Sequence, residues 1–285
     1  MDKLTEVSLK TFQLFGHSIT VNPITFYMTW LVMALMVLVG IYYAKKLTFI
    51  PSKVQSLFEL VYEFLEDITL STLGKKDGPK YVPFIVTLFV FILVSNWIGI
   101  LPHFFAFIGS MLAFFHWLVG GQSVSFVFDS IFSFSLNVPG DVWYSFLLNM
   151  PAFEEPTKSV NTDLALAFFV FFVVQSYGIK RKGFLTYIRD FADDPFPMKG
   201  PLILFFFLNP FFYLNLLGLV ASVVSHSFRL FGNIFGGSMI IVIVSSLLNY
   251  FLVPVGLFAF FGLFAGLVQA FVFTMLAVTY IQQQQ

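Results

Sequence analysis

The sequence predicts an all-α polytopic membrane protein. About five membrane-level helices and one surface amphipathic helix are expected, the last two membrane-level helices forming a long, strongly tilted hairpin. Three observations lead there. Of 285 residues, 58% are hydrophobic and 11% charged, and several apolar runs reach the ~20 residues that span a bilayer. Lysines and arginines gather in short clusters between those runs. Residues 201–248 hold too many residues for one perpendicular span, so a helix there must tilt.

Residues 1–22 are read as an outer N-terminal segment. Asp2 and Glu6 stand beside Lys3 and Lys10, unlike the basic start of a cleavable presequence, and no Arg- and Ser-rich transit segment is seen. Residues 24–44 form the first span, closed by Lys45-Lys46. Pro51 opens an amphipathic helix over about 57–73, with Glu59, Glu63, Glu66 and Asp67 on one face and Phe58, Val61, Leu65 and Ile68 on the other. This helix lies on the membrane surface or packs on a soluble partner. Residues 74–80 read as a polar turn, and 83–102 as a second span closed by Pro102-His103.

Residues 104–155, with His116, Asp129 and Asp141, form an irregular outer-face insertion with one or two short or re-entrant helices. Residues 163–179 cross again and end at Lys180-Arg181-Lys182-Gly183. A polar connection over 184–196 follows, and Asn249 to Pro254 separates the run 201–248 from a last helix over 255–281. The basic loops (Lys45 to Lys80, and Lys180 to Lys199) outweigh the other side, which has Lys3, Lys10 and Lys158. The positive-inside rule then puts the N-terminus outside and the C-terminal glutamines in the cytoplasm. One domain is expected, in a bacterial plasma (inner) membrane.

Several function classes fall away. Formal net charge is +0, which gives no reason to expect nucleic acid as a partner. The absence of cysteine removes disulfides, thiol catalysis and cysteine-ligated metals. No phosphate-binding glycine loop, metal cluster or nucleophile constellation is present, so the chain reads as non-catalytic and without cofactor. His17 stands alone and supports no site.

Arg229 is the residue that demands an explanation. It is the only Lys or Arg after Lys199, inside a stretch of Phe, Leu, Val and Ile. An arginine near mid-bilayer costs about 2.5–3.5 kcal/mol on insertion scales, and the nearest carboxylates upstream are Asp193 and Asp194. At helical spacing Asn215, Gly218, Ser222, Ser225, His226, Arg229, Gly232, Asn233 and Gly236 share one stripe. A small and polar stripe on an apolar helix meets protein or water rather than lipid. On the last helix Gly262, Gly266, Gln269, Phe273 and Tyr280 form a matching face. Gly232, Gly236, Gly262 and Gly266 are read as helix-packing positions. Gln269 either fixes the guanidinium by hydrogen bonding or clamps two helices together.

The stretch Ser225-x-Ser227-Phe228-Arg229-Leu230-Phe231-Gly232-Asn233 resembles the signature of subunit a of the rotary (F-type) ATP synthases. Pro156-Thr157-x-x-x-Asn161-Thr162-x-Leu164-Ala165-Leu166-Ala167 is similar to the family's stretch opening the helix before the final hairpin. Gly262-Leu263-Phe264-x-Gly266-x-x-Gln269-Ala270-Phe271-Val272-Phe273-x-x-Leu276-Ala277 resembles the last helix of bacterial and chloroplast members, and Asn96-Trp97-Ile98-Gly99-x-Leu101-Pro102 the end of an earlier span. The resemblance covers Pro156 to Ile281 strongly and Pro51 to Pro102 moderately.

It implies a stator subunit beside a ring of c subunits and the b-subunit stalk. The final hairpin would curve round the rotor, and two offset half-channels would meet near Arg229. A fixed positive charge favours the ionised form of a passing rotor carboxylate, and a permanently protonated guanidinium blocks direct ion flow. Arg229, Asn233, Gln269, His226, Ser225, Asn215, Ser238 and Asp163 are the expected ion-path residues. Many members carry a glutamate where this chain has Ser238, an acidic residue or histidine at Gly262, an acid at Gly218 or Asn215, and Lys-Pro at Ser222-Val223. Other groups must therefore serve the inner ends of the half-channels. His226 either relays protons or is a hydrogen-bonded core histidine. Proton coupling is the default, and sodium the alternative. A standalone transporter would need its own intramembrane carboxylates or an inverted repeat, and no repeat is visible. A structural anchor, with Arg229 paired to lipid or a neighbouring chain, is the other rival.

Overall fold

Helix dominates because nothing else satisfies backbone N–H and C=O groups within hydrocarbon except a closed barrel. The computed structural model describes residues 10–14, 17–101, 104–119, 125–130, 133–137, 142–150, 153–184, 186–187, 210–247, 256–257 and 259–284. In order these form β1 (Lys10–Leu14), β2 (His17–Val21), α1 (Pro23–Lys46), α2 (Lys53–Trp97), α3 (Phe104–Leu118), β3 (Ser125–Ser130), β4 (Ser133–Asn137), α4 (Ser145–Leu148), α5 (Val160–Lys182), α6 (Pro210–Leu247) and α7 (Gly266–Gln283). Five stretches are long and apolar enough to cross a membrane, lying within Pro23–Lys46, Lys53–Leu118, Val160–Lys182, Phe212–Val244 and Phe260–Gln283. The chain is an all-α polytopic membrane protein. Two antiparallel hairpins, β1–β2 and β3–β4, are additions that the sequence reading did not contain.

Contacts divide the chain into two compact units. The first comprises residues 1–28 and 98–154. In it α3 packs on α4: Ala113 and Tyr144 are buried, and His116 Nδ1 lies 2.9 Å from the Tyr144 hydroxyl. Among its described residues the stretch 104–155 thus holds two helices and the β3–β4 hairpin. The second unit comprises residues 29–97 and 155–285. Its core joins Leu65, Leu73, Ile85, Leu88, Phe89 and Ile92 of α2 to Val170, Val174 and Tyr177 of α5, Leu230 of α6, and Ala270, Phe273, Ala277, Val278 and Ile281 of α7.

Local chemistry sets the element ends. Lys46 Nζ, closing α1, bonds the Tyr42 hydroxyl at 2.7 Å. Buried Gln55 holds the next turn, donating to the Thr48 carbonyl at 3.0 Å and to Glu59 Oε1 at 2.8 Å. The expected surface helix is the first arm of α2. The polar turn over 74–80 is corrected: only Gly74, at φ 76° and ψ 163°, leaves the helical range, and helix resumes at once. This backbone region is open essentially to glycine alone. Asp77, in the second arm, accepts from Lys80 at 2.9 Å and from Arg181 at 3.2 Å, tying α2 to the end of α5. The Lys80 hydrogen bond leads, with Tyr177 and Arg181 adding, in holding the Asp77 carboxyl below its ordinary 3.8. Gly183, at φ +83°, stops α5 with its N–H on the Ile179 carbonyl at 2.9 Å.

α6 has 38 residues, about 57 Å at 1.5 Å per residue. That is nearly twice the hydrocarbon thickness. Ahead of α7, residues Phe260–Ala265 form a π-helical turn. Pro102-His103, the connection beyond Tyr187, residues 201–209 and the whole of the break at 249–254 lie outside the described residues.

Candidate functional site

α6 places its polar stripe along an edge between covered and open surface. Val223, His226, Ser227, Leu230 and Gly237 are buried, whereas Gly218, Ser225, Arg229 and Gly232 are exposed. Arg229 therefore points away from the chain's own core. It has no ion pair or hydrogen bond among the described residues; both described ion pairs belong to Asp77. Gly232 and Gly236 have no heavy atom within 4 Å of an added Cβ, so neither packs another helix of this chain. Two other glycines near the π-helical turn do make close approaches. A Cβ added at Gly266 would lie 3.1 Å from Asn96 Cβ, and one added at Gly237, absent from the expected set, 3.0 Å from the Phe261 ring. Gly262 is half-buried inside the π-helical turn.

On the covered side His226 packs edge-on against Phe273 at 3.7 Å between ring centroids, with Tyr280 at 5.7 Å. Neither ring nitrogen has a hydrogen-bond partner. A hydrogen-bonded core histidine is therefore not what is found. The ring instead lies at the inner end of a 510 Å³ cavity between α5, α6 and α7. Asn215, Gly218, Ser222 and His226 line one wall; Ala167, Val170 and Gln175 the second; Tyr280, Gln283 and Gln284 the third. Lys182 and Tyr187 stand at the end opposite His226. A water takes about 30 Å³, so the space suits a column of solvent reaching within one helical turn of Arg229. Ser222 Oγ donates to the Leu219 carbonyl at 2.7 Å and keeps its lone pairs for that solvent.

The α6–α7 seam carries the other expected residues. Asn233 Nδ2 donates to the Ala265 carbonyl at 3.4 Å. Gln269 is buried with Nε2 unpartnered, and no hydrogen bond joins it to Arg229. Ser238 Oγ donates to its own helix at Phe235 O, 2.8 Å. Asp163, in the first turn of α5, is 0% exposed with neither carboxyl oxygen partnered. Neither Ser238 nor Asp163 lines the cavity.

The motif residues Asn96, Trp97 and Thr157 have a use that the sequence reading did not assign. Asn96 Nδ2 donates to the Gly266 carbonyl at 2.9 Å, Trp97 Nε1 to the Leu263 carbonyl at 3.2 Å, and Thr157 Oγ1 to Asn96 Oδ1 at 2.8 Å. With Asn233, three side chains thus bond carbonyls in or beside the π-helical turn. A π-turn disturbs the regular ladder, and these donors hold the disturbed stretch in place. Polar side chains at the ends of two apolar spans were the available signal.

A family model described as ATP synthase A chain matches residues 26–282. The chain is 30% identical to "ATP synthase subunit a, sodium ion specific" of Propionigenium modestum over 94% of this chain and 75% of that protein. It is 31% identical to an ATP synthase subunit a of Desulfosudis oleivorans, over 88% of this chain and 83% of the relative. A subunit a of Moorella thermoacetica is 32% identical over 89% and 86%.

Proposed function

The chain belongs to the ATP synthase A chain family, and from that membership we propose how this ion-translocating subunit of the membrane sector works. Arg229 is the fixed charge that a ring of c subunits passes. The observation that carries this reading is its exposure on an apolar 33-residue stretch, Phe212–Val244, without an acidic partner among the described residues. A charge so placed is costly in lipid. A rotor carboxylate moving past it would offset that cost and lose its proton there. The guanidinium stays charged throughout and acts as a gate, not a carrier.

The cavity serves as one half-channel. Its outer end lies by Lys182, beside the basic cluster Lys180, Arg181 and Lys182. Basic loops favour the cytoplasmic face, so this half-channel opens inward, the N-terminus lies outside and the C-terminus inside, in a bacterial plasma membrane. His226 and Asn215 exchange ions between its water and the rotor. Asn233 and Gln269, on the α6–α7 seam, serve the opposite half-path, with Ser225 and Ser238 along the exposed edge of α6. Protons are the coupling ion. The partners are the c-ring against the exposed face of α6 and the b-subunit stalk. Residues 26–282, matched by the family model, run through both compact units, which supports one functional membrane domain.

The test is Arg229→Gln in the assembled complex, read as ATP-driven proton pumping into inverted vesicles. Assembly is expected to persist with pumping abolished, and Arg229→Lys is expected to fare little better. Pumping at the parental rate in Arg229→Gln overturns the gate, as does loss of assembly with residual coupled pumping.

A further inference from the structure

The turn between α1 and α2 is built the wrong way round for water. A loop in solvent carries polar side chains on its outside. Here Leu47, Phe49 and Ile50 are 65%, 104% and 84% exposed, and it is Gln55 that is buried. Gln55 grips both main-chain groups of Thr48: Oε1 accepts from the N–H at 3.4 Å, and Nε2 donates to the carbonyl at 3.0 Å. Thr48 Oγ1 donates to the Ile50 carbonyl at 2.8 Å, and Ser52 Oγ accepts from the Gln55 N–H at 3.3 Å. The polar side chains thus turn inward to fix the backbone, and the apolar ones are held out. Single exposed apolar residues are ordinary on any surface. Three held out by an internal clamp point to an apolar neighbour.

The place of the turn in the fold identifies that neighbour. α1 has 24 residues, about 36 Å, enough to cross the hydrocarbon and reach headgroup level at Lys45-Lys46. Tyr42 and Tyr43 stand one turn earlier, where aromatic rings mark the interface of a span. Tyr43 packs on Phe58 at 4.9 Å between ring centroids, which lays the start of α2 beside the end of α1. Val54, Leu57 and Phe58, all exposed, continue the apolar surface of the turn along one face of α2. At helical spacing Glu59, Glu63, Glu66 and Asp67 take the opposite face. Three lysines frame the turn. Lys46 Nζ rests 4.4 Å from the centroid of the Tyr42 ring. Lys45, Lys46 and Lys53 have no acidic partner among the described residues, where both ion pairs belong to Asp77. The nearest acid in sequence, Glu59, is held by Gln55 Nε2 at 2.8 Å.

We propose that this turn is a seat for anionic phospholipid in the leaflet on the side of the basic loops. Leu47, Phe49 and Ile50 enter the upper acyl region, and Lys45, Lys46 and Lys53 meet headgroup phosphates around them. Charge selects the occupant: three cations without acidic partners surround the apolar residues, and the acids of α2 point the other way. Basic residues beside a span are drawn to anionic headgroups, and apolar side chains supply the insertion. A protein partner would need an apolar pocket and separate carboxylates for three lysines, whereas a leaflet supplies both from one surface. Because Gln55 joins the turn to α2, the seat fixes the first arm of that helix in the headgroup plane. It is independent of the ion path and does not rest on Arg229.

The test uses the assembled complex in vesicles of phosphatidylcholine mixed with phosphatidylglycerol. The chain has 0 cysteines, so Ile50→Cys carries a single fluorescent label once reactive cysteines of the other subunits are replaced. Bromine on the acyl chains quenches the label on contact, and it is placed on one lipid or the other at the same overall composition. Quenching by the brominated phosphatidylglycerol is expected to exceed that by the phosphatidylcholine roughly fivefold at equal mole fraction. Replacing Lys45, Lys46 and Lys53 together by Gln should remove the excess and leave quenching by both lipids. Should that triple variant fail to assemble, Lys53→Gln is read against the same pair of lipids and should reduce the excess. Quenching by neither lipid overturns the seat and leaves the turn to water or a neighbouring subunit. Equal quenching by both in the parental sequence overturns the anionic choice, and an excess that survives loss of the lysines overturns their part in it.

Discussion

At the scale of single residues, buried Asn96 joins three parts of the chain. It is 2% exposed, donates to Gly266 and accepts from Thr157, so both ends of its amide are engaged. Asn96→Ala would leave the Thr157 hydroxyl and the Gly266 carbonyl without this partner. A lost buried hydrogen bond of this kind costs about 1–3 kcal/mol. The expected outcome is a lower melting temperature of the detergent-solubilised complex, with Thr157→Ala showing part of the same loss. Gly266→Val should act on the same contact by steric means, since its Cβ position is already 3.1 Å from Asn96. Parental melting in both Asn96→Ala and Gly266→Val would mean that the π-helical turn stands without this clamp.

At the scale of elements, the bend in α2 is a single-residue device. A residue with a Cβ at Gly74 would be strained by about 1–3 kcal/mol. Gly74→Ala should therefore loosen the first arm, seen as faster proteolysis between Lys53 and Lys75, while Lys75→Ala should not. The second device is Asp77. Its lowered carboxyl pKa means that its contribution is present above the unfolded value near 3.8 and is lost as pH falls through the lower folded value. Stability of the α2–α5 tie should be flat from neutral pH down to about pH 4 and fall only below it. Asp77→Asn should remove that acid-limb dependence in melting curves. The element ends also show what could be read beforehand. Lys45-Lys46, Gly183 and the acid face of the first arm are local signals of charge, backbone freedom and period, and each marks an end or face that the structure has. The polar run 74–80 misled because polarity there reflects an aqueous location, which helix tolerates as well as a turn does. The two hairpins alternate polar and apolar residues over no more than five positions per strand, too short a run to stand out in so apolar a chain, and the π-turn is set by donors from α2 and α6. A linear sequence does not show such donors until the helices are packed.

At the scale of the whole molecule, Arg229 was legible because its cost depends only on an apolar surrounding, whereas the cavity was not. Its walls come from three helices; Asn215, Gly218, Ser222 and His226 of α6 and Tyr280 of α7 lay on stripes in the sequence, whereas the α5 wall did not. Gly232 and Gly236, read from the sequence as helix-packing positions, have open space beside them within the chain. On the proposed half-channel reading, solvent in the cavity would bring the electrical potential of one bathing solution to the depth of His226. The transmembrane voltage would then fall mainly over the thin insulating layer that remains, where one elementary charge gains about 2.3 kcal/mol per 100 mV. Voltage would be converted there into local ion activity, so a field and a concentration difference would drive the same step with equal effect.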